Sequence, residues 1–178
     1  AEDRLAIAEN ILAQAEKYGI DKKNIIFDPL ALTISADTAA GRETLRAVGL
    51  IKSRLGCHTS LGVSNVSFGL PQRDIINSSF FALAMWQGLS AAIMNPYSDE
   101  MMKAYHAFCA IGGLDDNCTE YIAFTQTLPQ TMAVAPAEKT AVEAGSAEYK
   151  SDLQRAVIKG LKEQAAQLTA KLLQSVEP

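Results

Sequence analysis

The sequence predicts an α/β fold in which parallel strands alternate with helices. Short β-favouring runs end at or near Asp28, Asn65 and Asn95, and amphipathic helical stretches separate them at a period of roughly thirty residues. Parallel strands joined by such helices bring their carboxyl ends to one edge of the sheet, which is where ligands bind in this fold class. We therefore expect these three residues to face one mouth.

The first cycle begins with an amphipathic helix over residues 1–19, which Gly19 is placed to end. The run Asn24–Asp28 favours a buried strand, and Pro29 stops it. A second amphipathic helix follows and closes at Gly56.

The later cycles repeat this order. His58–Val63 predicts a strand, residues 71–87 a helix with Trp86 packed inward, and Ser90–Met94 a small strand that Pro96 cuts off. Residues 98–125 are again predicted to be helical, with a break at Gly112 and Gly113.

Composition changes near the end of the chain, and this change predicts the domain organisation. We expect a first domain over residues 1–126 and a linker over 127–146, which is rich in Ala, Thr and Pro. Residues 147–178 predict an amphipathic helix, opened by a capping box at Ser151 and Gln154. A lone helix of this kind cannot bury its apolar stripe, so it requires a partner.

Charge and cysteine content exclude several classes of function. The net charge of -4 over 178 residues gives no basic surface for nucleic acid or an anionic membrane. The sequence has no apolar run of about 20 residues and no signal-peptide pattern at its start, so a cytoplasmic protein is expected. Cys57, Cys109 and Cys118 form no CxxC pair, which predicts reduced thiols and no bound metal.

The most specific motif is the segment from Leu61 to Gly69, LGVSNVSFG. Its small and polar residues suit a loop that holds a flat heterocycle: Gly62 permits close approach, and the Asn65 amide can both donate and accept. Taken alone, Asp28 and Asn65 are also typical of turns and helix caps, so the pattern leaves that interpretation open.

Together with Phe27–Leu30 upstream and with Arg73 and the run Asn77–Met85 downstream, this motif resembles a known family. It is similar to the folate-binding domain of cobalamin-dependent methionine synthase and to the methyltetrahydrofolate:corrinoid/iron–sulfur protein methyltransferase of acetogens. The resemblance covers about residues 4–96 and implies the C-terminal portion of a (β/α)₈ TIM barrel, with strands six to eight of the barrel in this chain.

The resemblance also implies roles for particular residues. Asp28 matches the carboxylate that binds the polar edge of the pterin, and Asn65 matches the asparagine that hydrogen-bonds N5, from which the methyl group leaves. Gly62 and Ser64 match backbone and loop contacts around the same ring. Arg73 matches an arginine just before the following helix, and the resemblance implies that it also contacts the pterin substrate. The family's earlier pterin ligands, an Asp and an Asn, lie on strands that this chain lacks.

Two features of the sequence bear on which branch of the family it resembles more. Phe68 is aromatic as in the methionine synthases, where the acetogen enzymes carry a polar residue. The stretch Ala156–Gly160 resembles the first helix of the cap that precedes a cobalamin-binding domain, although an oligomerisation segment would show the same spacing. The Asp-x-His-x-x-Gly ligand loop is absent from the sequence. Cobalamin is therefore expected on a separate domain or protein.

The function implied is part of a 5-methyltetrahydrofolate:homocysteine methyltransferase that donates the N5 methyl group to cob(I)alamin. Three strands cannot close a barrel of eight, so we expect the chain alone to be inactive and to pair with a missing N-terminal barrel half or with a second copy. Two alternatives stay open. One is a non-catalytic pterin-binding or assembly fragment. The other is a dihydropteroate synthase-like enzyme, for which SNVSFG lacks the expected Lys- and Arg-containing motif.

Overall fold

The computed structural model describes residues 1–129, 152–154, 156–157 and 162–175, and the chain divides into two units after Gln130. The elements of the first unit are, in chain order, α1 (Glu2–Lys17), β1 (Ile26–Phe27), α2 (Ala40–Leu50), β2 (His58–Gly62), α3 (Arg73–Trp86), β3 (Ala91–Ile93), α4 (Asp99–Ile111) and α5 (Thr119–Thr127). The second unit contains α6 (Lys162–Ser175).

The three strands form one parallel sheet in the order β1-β2-β3. Phe27 pairs with Thr59, and Gly62 pairs with Ile93. The prediction of about three parallel strands alternating with helices is confirmed. The described residues show these three strands and not a closed barrel.

The two faces of this sheet differ in their surroundings. Phe27, Thr59 and Leu61 point to the helical side and are buried. The alternate positions point the other way because side chains alternate along a strand, and there Ile26 is 54% and Ile93 is 67% exposed. This second face, which carries Ile26 and Ile93 beside His58 and Ser60, is therefore largely uncovered in the described part of the chain.

The core of the first unit lies between β2 and the helices α2 and α3. Val48, Leu61, Val63, Phe80 and Phe81 form its buried centre. A second cluster joins α1 to the sheet through Ala8, Phe27, Ile51 and Cys57. These clusters fix β1 and β2 against the helices and so determine where both strands end.

The helix boundaries agree with the sequence pattern to within a few residues. Gly19 follows α1 with φ of 71°, and α2 continues as a wider helical turn, Ile51–Leu55, before Gly56 ends it at φ of 65°. The inward placement of Trp86 is wrong, because its side chain is 73% exposed at the end of α3. The predicted break at Gly112 and Gly113 is confirmed between α4 and α5.

In the second unit, α6 carries half-buried residues at Ala165, Leu168 and Leu172. This spacing of three and four residues is that of one helical face. The predicted helix over 147–178 as a whole stays a prediction. Most of the predicted linker, together with Ser151, lies outside the described residues. The boundaries at 126 and 146 stay predictions.

Candidate functional site

Asp28 directly follows β1 and is exposed at the carboxyl end of the sheet. Its Oδ1 accepts a hydrogen bond from the Leu30 backbone N–H at 2.9 Å, across Pro29. The other carboxylate oxygen has no hydrogen-bond partner in the part of the chain that the structure describes. It can therefore accept from a ligand without breaking the turn.

The turn after Asp28 is strained. Leu30 has φ of 62°, a conformation that a non-glycine residue adopts at a cost of about 1–3 kcal/mol. Its N–H donates to Asp28, and its carbonyl lies 3.0 Å from the Thr44 hydroxyl on α2, which shares its one proton between Leu30 O and Ala40 O at 2.9 Å. Strained turns of this kind cluster at ligand sites, so the observation points to a functional role for this loop.

Asn65 lies in a 3₁₀ turn, Val63–Ser67, that follows β2. Every backbone carbonyl around it is engaged: Ser64 O accepts from Arg73, Asn65 O from the Phe68 N–H, and Val66 O from the Ile34 N–H. Its side chain is exposed, and among the described residues nothing hydrogen-bonds to its amide. The backbone is thus fixed while the amide is available to a ligand.

Gly62 contributes to this arrangement in a way that the sequence did not indicate. A Cβ added at this glycine would lie 3.1 Å from Asn65 Nδ2, closer than a comfortable contact. The expected close approach of a ligand to the Gly62 backbone is not tested by this geometry. The geometry shows that the absent side chain leaves room for the Asn65 amide.

The loops that follow β1 and β2 are tied to each other. Ile34 N donates to Val66 O at 3.0 Å, and the hydroxyls of Thr33 and Ser35 donate to Phe68 O at 2.8 and 2.9 Å. Because the strands are parallel neighbours and their following loops are bonded, Asp28 and Asn65 lie at the same edge of the sheet. Asn95 follows β3 at this edge, where its Oδ1 accepts from the Tyr97 N–H as a turn residue does.

Arg73 is the first residue of α3, and its side chain hydrogen-bonds to the loop that contains Asn65. Its Nε donates to Ser67 Oγ at 3.0 Å and its Nη2 donates to Ser64 O at 2.8 Å. The guanidinium carbon lies 5.4 Å from the centre of the Phe68 ring, within range of a cation–π contact. These hydrogen bonds use the Nε and Nη2 donors of Arg73 within the protein. The predicted contact of Arg73 with substrate stays a prediction.

Cavities of different size lie at opposite ends of the strands in the described part of the first unit. One of about 120 Å³ is lined by Asp28 and Leu30 on one side and by residues of α1, including Ile7 and Ile11, on the other. A larger hollow of about 450 Å³ is lined by Arg46, Gly49, Leu50, Lys52, Ser53, Trp86 and Gln87. Since these residues come from the ends of α2 and α3, the larger hollow lies at the amino end of the strands, away from Asp28 and Asn65.

Two classes of feature are not found in the described ranges. No group of three or more His, Cys, Asp or Glu side chains there is arranged to hold a metal ion. None of the helices there is both long and apolar enough to cross a bilayer.

Comparison with known proteins identifies relatives. A family model described as pterin binding enzyme matches residues 1–95. The chain is 30% identical over 121 residues to a methylcorrinoid:tetrahydrofolate methyltransferase from Eubacterium limosum, a match covering 67% of this chain and 45% of that protein. It is 33% identical over 103 residues to a methionine synthase from Mycobacterium tuberculosis, covering 53% of this chain and 9% of that protein. A methionine synthase from Mycobacterium leprae is 33% identical over 102 residues, covering 53% of this chain and 8% of that protein.

The chain spans less than half of the length of each of these relatives. The family model, however, covers more than half of the chain and includes β1, β2, α3 and β3 together with the loops that carry Asp28 and Asn65. The chain therefore belongs to the pterin binding enzyme family.

Proposed function

We propose that this chain forms part of a corrinoid-dependent methyltransferase that binds 5-methyltetrahydrofolate and donates its N5 methyl group to cob(I)alamin. The observation that carries the proposal is the pairing of Asp28 and Asn65 at one edge of the sheet. A carboxylate and an amide with unused hydrogen-bonding capacity follow neighbouring parallel strands, and bonded loops hold them together. Membership of the pterin binding enzyme family supports a pterin as the ligand.

In this proposal Asp28 anchors the pterin ring. A pterin presents an amino group and a ring N–H along one edge, and an ionised carboxylate can accept from both. The Leu30 N–H already occupies Oδ1 from the protein side, which holds the carboxylate in a fixed direction. Asp28 thus supplies binding and orientation.

Asn65 is proposed to act at N5. A tertiary amine is a poor leaving group until N5 carries a proton, because the electron pair of the breaking N–CH₃ bond must return to that nitrogen. An amide oxygen placed at N5 can accept a hydrogen bond from that proton, and the hydrogen-bonded backbone around Asn65 holds the start of the side chain in place. The corrinoid, held by another domain or protein, supplies the nucleophile that takes the methyl group.

The remainder of the pocket must come from outside the described residues. The cavity beside Asp28 is lined by α1 and the end of β1 and does not include Asn65, and its volume of about 120 Å³ is below the about 300–1,000 Å³ of a drug-sized ligand's pocket. The uncovered sheet face, with Ile26 and Ile93 exposed, also requires a cover. We propose that a further portion of the barrel, or a second copy of the chain, supplies both and that this chain alone is inactive.

The final acceptor is proposed to be homocysteine, as in a methionine synthase. Phe68, which is aromatic as in the methionine synthases, favours this choice. The larger coverage by the Eubacterium limosum protein supports the more general transfer between folate and a corrinoid. Adding homocysteine to the methylated corrinoid form and measuring methionine would distinguish these functions: methionine forms only if homocysteine is the final acceptor.

The proposal is tested in the complete protein, including any sequence that flanks this chain. Calorimetric titration with 5-methyltetrahydrofolate measures binding, and the fall in cob(I)alamin absorbance after mixing measures transfer. We expect saturable binding and folate-dependent loss of the absorbance. Binding without transfer would favour the non-catalytic alternative, and the absence of binding would overturn the proposal.

A further inference from the structure

The buried pair Ser67 and Asn77 lies directly beneath the Asn65 loop. Ser67 is 0% and Asn77 is 6% exposed, and Ser67 Oγ lies 2.7 Å from Asn77 Oδ1. Both side chains border the apolar core formed by Val63, Val66 and Phe80. Two apolar side chains of the same shape would stabilise this position about as well, so the polar pair calls for a reason other than stability.

The geometry sets the direction of the Ser67 hydroxyl. A hydroxyl has one proton to donate, and Asn77 Oδ1 at 2.7 Å is a closer acceptor than Ser64 O at 3.2 Å. With its proton given to Asn77, Ser67 Oγ presents a lone pair to Arg73 Nε at 3.0 Å. Asn77 thereby orients Ser67, and Ser67 orients the guanidinium.

Arg73 passes this orientation to the Asn65 loop. Its Nη2 donates to Ser64 O at 2.8 Å, and the Ser64 peptide leads directly into Asn65. Arg73 and Asn77 are four residues apart on α3 and so share one face of that helix. Asn77, in the second turn of α3, is therefore connected to Ser64, the residue before Asn65, by three successive hydrogen bonds.

We propose that Asn77 and Ser67 are positioning residues that, through Arg73, set the orientation of the Asn65 amide at the reacting nitrogen. This inference rests on the proposed function of Asn65. It assigns to α3 a part in the methyl transfer itself, in addition to its packing against the sheet. Without the Asn77 acceptor, the Ser67 hydroxyl would donate to Ser64 O, 3.2 Å away, and its lone pair would no longer be held towards Arg73 Nε.

The decisive variants change Asn77 without changing its size. Asn77→Leu removes the acceptor, whereas Asn77→Asp keeps an acceptor oxygen at the same place. In the complete protein we expect Asn77→Leu to slow single-turnover methyl transfer about 10-fold while the Kd for 5-methyltetrahydrofolate changes much less, because displacements of this scale act on the transition state. Asn77→Asp should restore most of the rate.

A matched control is Ser78→Ala on the same helix, because the Ser78 hydroxyl bonds only within α3, to Asp74 O and Ile75 O. It should transfer at the wild-type rate. If Asn77 acts through Asn65, the Asn77→Leu/Asn65→Ala double variant should be no slower than Asn65→Ala alone. Ser67→Ala, which leaves the helix intact, repeats the test should Asn77→Leu fail to fold.

A second measurement separates this inference from the proposed function. The Asn65 side-chain amide resonances, assigned by their loss in Asn65→Ala, should shift or broaden in Asn77→Leu and stay unchanged in Ser78→Ala, with or without folate. Wild-type protein that transfers no methyl group would overturn the proposed function alone. Unchanged resonances, a wild-type transfer rate in Asn77→Leu, or a loss that appears equally in the Kd would overturn the positioning role.

Discussion

At the scale of single residues, Asn65 combines a fixed backbone with an uncommitted side chain. The carbonyls of Ser64, Asn65 and Val66 all accept hydrogen bonds from the protein, while none of the described residues bonds to the Asn65 amide. A held backbone limits the positions that the amide can take, and its free hydrogen-bonding groups stay available to a ligand. Asp28 has a similar arrangement, with one oxygen fixed by the Leu30 N–H.

Gly62 gives a first prediction at this scale. A methyl group there would lie 3.1 Å from Asn65 Nδ2, so Gly62→Ala must move the amide by a few tenths of an ångström. We expect about 10-fold slower methyl transfer in the complete protein, since small misplacements of a reacting group are costly. Single-turnover kinetics of Gly62→Ala, Asn65→Ala and the double variant provide the check. Additive losses in the double variant would show that Gly62 acts independently of Asn65.

At the scale of elements, the sequence predicts the order and type of helices and strands better than it predicts which side chains pack together. Periodicity located α1, α2, α3 and the break before α5, because apolar spacing and the glycines at helix ends are local features. Trp86 shows where apolar spacing alone fails to predict burial. It continues the apolar stripe of α3 in sequence, yet it lies at the helix end beyond the reach of the core and is exposed.

In the candidate site, too, the sequence predicts local positions but not the contacts between distant residues. The positions of Asp28 and Asn65 after strands could be predicted, since strand ends are marked by Pro29 and by the small residues of the loop. The roles of Ser67 and Asn77 could not, because their hydrogen bond joins residues ten positions apart through the start of a helix. A polar residue on the inward face of α3 was the only local signal for Asn77.

The loop between α4 and α5 gives a prediction for pH. The Asp115 carboxylate accepts from the backbone N–H groups of Glu120 and Tyr121 at 3.0 and 2.9 Å. Burial raises the pKa of Asp115, but these N–H donors and the charge of His106 outweigh burial, and the pKa falls below its ordinary value of 3.8. A carboxyl with a lowered folded-state pKa contributes stability above its unfolded pKa and loses it as the pH falls through the folded value.

Asp115→Asn should therefore lower the melting temperature at pH 7, and the difference from wild type should shrink as the pH is taken below about 3.8. Thermal unfolding followed by circular dichroism between pH 7 and pH 3 measures this. The neighbouring Asp116→Asn serves as a control, because the Asp116 carboxylate accepts no hydrogen bond from the described residues. A difference that stays constant with pH would contradict the role of the Asp115 charge.

At the scale of the whole molecule, the first unit has a sheet with one face uncovered in the described ranges. Parallel sheets are normally covered on both faces, and here Ile26 is 54% and Ile93 is 67% exposed. The matched part of the chain covers only 45% of the Eubacterium limosum relative and 9% of the Mycobacterium tuberculosis relative. Both observations support a complete barrel in which further strands cover this face.

Ile26→Lys tests that arrangement. If the face is covered in the complete protein, a buried lysine there should destabilise it by several kcal/mol, because an unpaired charge is costly to remove from water. Ile111→Lys, at an 83% exposed position on α4, should have little effect. Urea denaturation of both variants measures the free energy of unfolding. Equal, small effects would mean that the face stays in solvent.

The most direct test of the central claim, that Asn65 stabilises the protonated N5 as the methyl group leaves, compares rate with affinity in one variant. Asn65→Ala in the complete protein should slow single-turnover methyl transfer to cob(I)alamin by about 100-fold, while the Kd for 5-methyltetrahydrofolate rises far less. Equal losses in rate and affinity, or an unchanged rate, would contradict that role.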